Sequence, residues 1–338
     1  MHRVRYVSVM RKLMIVVLFA LSASAEPKNV KLLTGLSEVE MQRTMNLMRS
    51  SLGVHCDYCH VIKKQWDFPS DENPRKDRAR EMIRMVADIN RATFAGHEVV
   101  SCFTCHRGSV KPVNLVTLPQ TAPKFPTPRP EKPELADAKE IVKKYAAALG
   151  DVALLKTPRV LKGERTAFDQ KVTPFDLVEK GEKVHIHAAD REQVFNGESG
   201  WWRNEKESGA MAPREVDLVR VLVSAYAIVL PADVGDNART IAKEKINDRE
   251  VWVVENGTRR FYFDIESGLL VRAVILTPSI AGTIPQQTDF EDYRDAGGVK
   301  FPFRTRLSLV DPWLSATRQY TSVKLGAEVD DAQFEMPK

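Results

Sequence analysis

Apolar positions recur every three or four residues in the first third of the chain and every second residue in its last half. That change of period predicts helices first and strands after them. Met41, Met45, Met48 and Leu52 lie on one face of a helix that Ser37 caps. Glu40 completes a capping box, Leu36 can staple against Met41, and Gly53 stops the helix. A second helix is expected over Arg75–Thr93, entered through Asn73-Pro74 and ended near Gly96. Its apolar stripe is Ala79, Met82, Val86 and Ile89, with Met85 beside it. A third runs from Glu134 to Leu149, with Ile141, Val142, Tyr145 and Leu149 inward and Gly150 at its end. Strands are expected at Lys183–His187, Val251–Val254, Arg260–Asp264, Leu269–Leu276, Thr288–Tyr293, Phe301–Leu309 and Thr317–Leu325. Asn256-Gly257 and Ser267-Gly268 read as hairpin turns, and one helix, Arg214–Val229, interrupts the strands. The expected class is α+β, a mainly helical part followed by an antiparallel sheet that curls around one face.

Two stretches break this periodicity. Arg3, Arg5, Arg11 and Lys12 precede an unbroken apolar run, Leu13 to Leu21, and then Ala23-Ser24-Ala25. That order is a secretory signal peptide over 1–25, which places the mature protein in the periplasm, soluble or peripheral to the membrane. The second break holds seven prolines between Pro112 and Pro133, a semi-rigid connector. The domains expected are therefore 26–111, a linker over 112–133, and a β-rich domain over 134–338. Charge follows from the leader. It holds four of the 50 basic residues and none of the 45 acidic ones, so the mature chain carries about one net positive charge. The basic pI thus gives no argument for nucleic acid.

All four cysteines sit in two C-x-x-C-H motifs, Cys56-Asp57-Tyr58-Cys59-His60 and Cys102-Phe103-Thr104-Cys105-His106. Each pair supplies thiols for two thioether bonds to a haem c, and the adjacent histidine coordinates its iron. Two disulfides or a four-cysteine zinc site would need no histidine after each pair. His60 and His106 are the proximal ligands, and two covalent haems are expected. The sixth ligand decides the function, because a methionine closes the iron to substrates and an open position admits them. Met41, Met45, Met48, Met82 and Met85 lie close by, and two ligands with three core contacts are expected among them. Eight basic residues between Lys63 and Arg91 alternate with six acidic ones. Most form a solvated face, with an arginine or two suited to haem propionates. His185 and His187 share a strand face but lack a third ligand nearby, and they read as ordinary histidines. Trp201-Trp202 reads as packing with a rim contact.

Met45–His60, Ile83–Asn90 and Thr104–Gly108 resemble a haem unit of the photosynthetic reaction centre cytochrome c subunit family, and the likeness spans residues 31–115. In that family a helix, a turn and the attachment motif recur together, and a helix methionine usually gives the sixth ligand. The resemblance implies Met45 and Met85 in that role, with His97 as the alternative at the second haem. The best-known members carry four haems and this chain only two, so a photosynthetic role does not follow. A carrier in another redox chain is equally implied, with redox partner proteins such as a membrane-bound electron-transfer complex or a reaction centre. Phe261–Arg272, Asp292–Asp295, Gly298–Pro302 and Phe334–Pro337 resemble the half-barrels of periplasmic lipoprotein carriers. That likeness implies a curved sheet around a helix, with a lipid or quinone in its cavity or a docking role. Three readings follow: a dihaem electron carrier that is not an enzyme, a dihaem peroxidase-like enzyme, and a lipid or quinone binder with accessory haems.

Overall fold

The computed structural model describes residues 28–122, 134–189 and 191–336. The leader and residues 123–133 of the proline-rich run lie outside the described residues. Among the described residues no helix is long and apolar enough to cross a membrane.

The first helix, α1 (Glu38–Leu52), opens on the expected capping box. Ser37 Oγ accepts from the Glu40 amide at 3.3 Å, and the Glu40 carboxylate accepts from the Ser37 amide at 2.8 Å. Gly53 closes it in the left-handed conformation. Its buried face is displaced from the methionine face. Thr44, Leu47 and Ser51 are buried, while Met41, Met45 and Met48 are half-buried. The second helix, α2 (Arg75–Thr93), shows a similar rotation. It buries Arg80, Ile83, Val86 and Asn90, and leaves Ala79, Met82 and Ile89 half-buried. Two of those four buried residues are polar and satisfied by hydrogen bonds, a kind of burial that an apolar stripe does not register. Between the two helices lies a small hairpin, β1 (Val61–Ile62) with β2 (Trp66–Asp67). A five-residue helix, α3 (Cys102–His106), follows α2.

One antiparallel sheet holds the remaining strands. Its first meander is β3 (Arg159–Ala167), β4 (Val172–Lys180), β5 (Lys183–Ala188), β6 (Arg191–Phe195), β7 (Gly200–Arg203) and β8 (Ser208–Ala210). Its second is β9 (Arg239–Ile246), β10 (Arg249–Asn256), β11 (Arg259–Asp264), β12 (Leu270–Thr277), β13 (Ile284–Asp295), β14 (Lys300–Leu309) and β15 (Ala316–Leu325). The order is β8-β7-β6-β5-β4-β3-β15-β14-β13-β12-β11-β10-β9, so the meanders meet where β3 pairs with β15.

The helix α4 (Ala138–Leu149), capped by Asp137, starts four residues later than Glu134. Its residues Ile141, Tyr145 and Leu149 pack with Leu161, Phe175, Leu177, Phe261, Phe263, Phe290 and Phe301 from many strands of the sheet. The sheet therefore curves around α4, a half-barrel on its own strand order. The chain passes from β8 to β9 through α5 (Pro213–Tyr226) and α6 (Pro231–Val234). Hydrogen bonds fix this passage against the rest of the domain. Ala225 O accepts from Thr288 Oγ1 at 2.7 Å, Tyr226 OH donates to Ala316 O at 3.1 Å, and Val229 O accepts from Tyr145 OH at 2.6 Å.

The helical part rests on one end of this sheet. Leu47 packs with Ala281 and Ile284. Asn46 Nδ2 donates to Asp311 Oδ2 at 3.1 Å, Ser50 Oγ donates to Val310 O at 3.0 Å, and Arg49 lies 3.6 Å from Asp311.

Candidate functional site

Each C-x-x-C-H motif forms a helical turn, Cys56–Tyr58 as a short 3-10 turn and Cys102–His106 as α3. Residues three apart share one side of such a turn, so both thiols of a pair can face one macrocycle. All four cysteines are free. Cys59 and Cys102 are half-buried, and burial raises both thiols. After α3 the chain reverses, with Arg107 and Gly108 in left-handed conformations. That reversal brings the Ser109 carbonyl to 3.0 Å from His106 Nδ1. With Nδ1–H donating there, Nε2 is left as the lone-pair nitrogen, the usual arrangement of a metal-ligating histidine.

His60 is held differently. Its Nδ1 is buried without a hydrogen-bond partner, and its ring meets Phe68 edge-on at 5.2 Å between centroids. Burial and the Lys76 charge favour the neutral ring, while the nearby Phe68 backbone, outside hydrogen-bonding geometry, opposes them. Neutral imidazole is the ligating form. Large apolar side chains stand exposed near both motifs. Ile62, Trp66 and Phe68 are 52%, 44% and 51% exposed after the first, and Trp66 stacks on Phe68. Met85, Val99 and Phe103 are exposed around the second. Clustered exposure of this kind marks a binding surface. Paired thiols, a neutral or tautomer-fixed histidine and an apolar surround fit a covalently held haem.

Several polar residues position these turns. Asn73 donates from Nδ2 to Tyr58 O at 3.1 Å and accepts at Oδ1 from the Arg75 amide at 3.1 Å, tying the first motif to the start of α2. Asp71 accepts from Arg80 at 2.9 Å and Lys31 at 2.8 Å and lies 3.3 Å from Lys76. Arg80 first, then Lys31, hold its carboxyl far below the usual range. Asn90 Oδ1 accepts from the Val99 and Val100 amides at 3.2 and 2.9 Å, and its Nδ2 donates to Val100 O at 2.8 Å. This straps the segment entering α3 onto α2. Asn73 was read from the sequence as the entry to α2 but not as a tie to the first motif, and Asn90 was not read. An Asn before Pro hinted at Asn73, and nothing marked Asn90.

The two attachment segments also touch. Gly108 N–H donates to Ser51 O at 2.8 Å, and a Cβ on Gly53 would overlap the Gly108 carbonyl. The second motif also meets the sheet. Cys102 N–H points at Ala281 O at 3.5 Å, and a Cβ on Gly282 would fall 2.5 Å from that of Ser101.

Among the methionines, Met48 joins the Leu47–Ala281–Ile284 cluster, whereas Met45 is half-buried outside it and Met85 is 41% exposed on α2. His97 is exposed in the turn after α2, and His55 is exposed beside Cys56. Among the described residues Arg75 and Arg84 make no ion pair, and Arg75 lies over the Tyr58 ring at 4.3 Å. In the sheet, His185 Nε2 lies 2.6 Å from Glu192 Oε1 and His187 is exposed. Trp201 is buried, and Arg191 stacks on Trp202 at 4.9 Å. A cavity of about 570 Å³ opens between α5 and the inner face, walled by Val223, Phe261, Ala273, Ile275 and Phe290.

Residues 19–147 match the family described as photosynthetic reaction centre cytochrome C subunit. Cytochrome c-554 of Chloroflexus aurantiacus is 38% identical over 87 residues, 24% of this chain and 20% of that protein. The photosynthetic reaction center cytochrome c subunit of Thermochromatium tepidum is 32% identical over 110 residues, 31% of this chain and 26% of that protein. The chain thus spans about a fifth to a quarter of the length of these relatives. Among solved structures, a LolA superfamily protein from Nitrosomonas europaea aligns with 60% of this chain and 98% of its own, at a TM-score of 0.38 and 12% identity. A DUF1329 family protein from Desulfovibrio piger aligns with 58% of this chain and 95% of its own, at a TM-score of 0.37 and 10% identity.

Proposed function

We propose that this chain, whose residues 19–147 match the reaction centre cytochrome c family, is an exported, periplasmic electron carrier. In this reading residues 1–25 are a cleaved leader and 26–111 a dihaem domain. Residues 112–133 form a linker, and 134–338 a half-barrel. Cys56, Cys59, Cys102 and Cys105 hold two haem c groups, and His60 and His106 give the proximal nitrogens. Met45 and Met85 would supply the second iron ligands, with His97 as the alternative to Met85. Haem iron supplies one-electron exchange. The protein's own part is to orient the two imidazoles and exclude water with Trp66, Phe68 and Phe103. The exposed apolar rim of both motifs leaves an edge for a membrane-bound electron-transfer partner.

The observation that carries this reading is the His106 Nδ1–Ser109 carbonyl contact at 3.0 Å, beside a thiol pair on one side of a turn. Intact mass of the purified protein counts the haems. The far-red charge-transfer band of methionine-ligated ferric haem tests the ligands. Met45→Ala should remove it from one haem and Met85→Ala from the other. High-spin ferric spectra in the unmutated protein would overturn the carrier reading and favour the peroxidase-like one. The cavity supports a second reading, in which a lipid or quinone occupies the half-barrel, because its volume lies within the range of small-molecule sites.

A further inference from the structure

The two motif histidines are held in opposite ways, and the difference has an electrical sign. His106 Nδ1 has the Ser109 carbonyl at 3.0 Å. His60 Nδ1 is buried without a hydrogen-bond partner. The backbone near it is that of Phe68, and the Phe68 carbonyl accepts from Lys76 Nζ at 2.8 Å instead. A carbonyl that accepts from Nδ1–H makes an imidazole a stronger electron donor through Nε2, which favours ferric iron. His106 has that support and His60 lacks it.

Lys76 acts on the first site in a second way. Only 13% of its side chain is exposed, and Nζ donates to the carbonyls of Phe68, Pro69 and Ser70 at 2.8, 3.0 and 3.0 Å. Phe68 in turn meets the His60 ring edge-on, so a largely buried cation stands behind the first motif histidine. Asp71 lies 3.3 Å from Lys76 but also accepts from Arg80 and Lys31, and Arg80 also binds Asp77. The cluster of Lys31, Lys76, Arg80, Asp71 and Asp77 therefore keeps one net positive charge. Arg75 adds another over the Tyr58 ring, while Asp57 of the same motif is exposed. Beside the second motif, Glu98, Arg107 and Lys111 are all exposed, where water and salt screen them. A cation shielded from water stabilises the reduced form of a neighbouring one-electron centre.

We propose that the chain sets its two haem sites at unequal reduction potentials, the Cys56–His60 site above the Cys102–His106 site, with Lys76 as the positioning residue that raises the first. This rests on the dihaem reading above and adds what that reading leaves open, the site at which a single electron held by the protein rests. His97 in place of Met85 at the second site moves the difference the same way, since a methionine ligand raises the potential.

The test is a redox titration of the full-length haem-loaded protein, followed in the visible haem band. The two midpoints should differ by at least about tenfold in the one-electron equilibrium, about 59 mV. Lys76→Gln should lower the higher midpoint about tenfold and leave the lower one in place, and Lys76→Arg should restore most of the loss. Asp71→Asn removes a negative charge from the same cluster and should move the higher midpoint upward. Mere loosening of the loop would send Lys76→Gln and Asp71→Asn the same way. The paired variant Cys102→Ala/Cys105→Ala keeps only the first haem and should keep the higher midpoint; if it does not accumulate, the Lys76 variants on the dihaem protein decide the assignment. Circular dichroism confirms folding of each variant. Coincident midpoints, or a lower midpoint that alone responds to Lys76→Gln, overturn the order of the sites. Shifts of one sign in Lys76→Gln and Asp71→Asn, or no shift in either, overturn the role of Lys76. An intact mass with fewer than two haems overturns the dihaem reading and this inference with it.

Discussion

Replacing Gly53 by alanine tests whether the two attachment segments are locked together. Gly53 ends α1 at φ 67°, and its Cα faces the Gly108 carbonyl. An alanine there meets three effects. Holding an L-residue in the left-handed region costs about 1–2 kcal/mol. Its Cβ would lie 2.9 Å from the Gly108 carbonyl carbon and closer still to the oxygen, so the carbonyl must move. That motion strains the 2.8 Å bond from the Gly108 amide to Ser51 O, worth about 1–3 kcal/mol if lost from a buried setting. Against these, alanine narrows the unfolded ensemble by about 0.4–1 kcal/mol. The net is a loss of about 1–5 kcal/mol, and at roughly 2–4 °C per kcal/mol the midpoint falls by at least about 2 °C. Thermal unfolding followed by far-ultraviolet circular dichroism measures it. Gly53→Asn separates the causes, since asparagine tolerates the left-handed region but still carries a Cβ. A midpoint for Gly53→Ala within about 1 °C of the parent would refute the close approach. An asparagine variant as stable as glycine would assign the whole effect to backbone conformation.

Other perturbations read the same region. Asp71 has its carboxyl held far below the usual value by Arg80 and Lys31. A depressed carboxylate stabilises the fold above its unfolded pKa, about 4, and that contribution drains away as pH falls towards the folded value. Asp71→Asn should therefore melt lower than the parent at pH 7, and the gap should narrow below about pH 3; a gap independent of pH would count against the ion cluster. Asn90→Ala should lower stability by about 1–3 kcal/mol, with faster hydrogen exchange at the Val99 and Val100 amides than at other loop amides. Unchanged exchange there would show that the strap is not made. Asp311→Ala removes the acceptor shared by Asn46 and Arg49. It should split one calorimetric transition into two, and a single unshifted transition would argue against coupling between α1 and the sheet.

Much of this was open to reading from residues alone, for identifiable reasons. The capping box at Ser37 and Glu40 and the stop at Gly53 are local chemistry, and they fixed α1 within a residue of its ends. Hairpin turns at Gly257 and Gly268 likewise reported β10, β11 and β12. The strands that went unread are those whose outward faces carry charge or whose inward faces carry glycine. In β3, Lys162 and Glu164 alternate with Leu161 and Gly163, and β9 is a charged edge. Buried faces of helices were misjudged where polar groups fill them. Ser51, Arg80 and Asn90 are buried because a backbone group or carboxylate meets each one, and those partners are distant in the chain or unremarkable in type. The two C-x-x-C-H motifs stand out in the sequence because covalent attachment would demand that fixed spacing. The Ser109 carbonyl does not, because any residue presents one.

The seam between the meanders sets an order of events during folding. The last strand, β15, is not an edge but a centre, pairing with β3 from Arg159–Leu325 at one end to Ala167–Ala316 at the other. Contacts of such separation form late, because a long loop must close before they return any stabilisation. The hydrogen bonds within the helices α1 and α2, by contrast, are local. The helical part can thus take shape while the two meanders are still separate sheets, each with an open edge where β3 or β15 will zip. Until the final strand arrives, those unpaired edges are the most aggregation-prone surface the chain presents. Truncation before Ala316 should leave the helical part intact and convert the remainder into two sticky halves, which limited proteolysis and light scattering would distinguish.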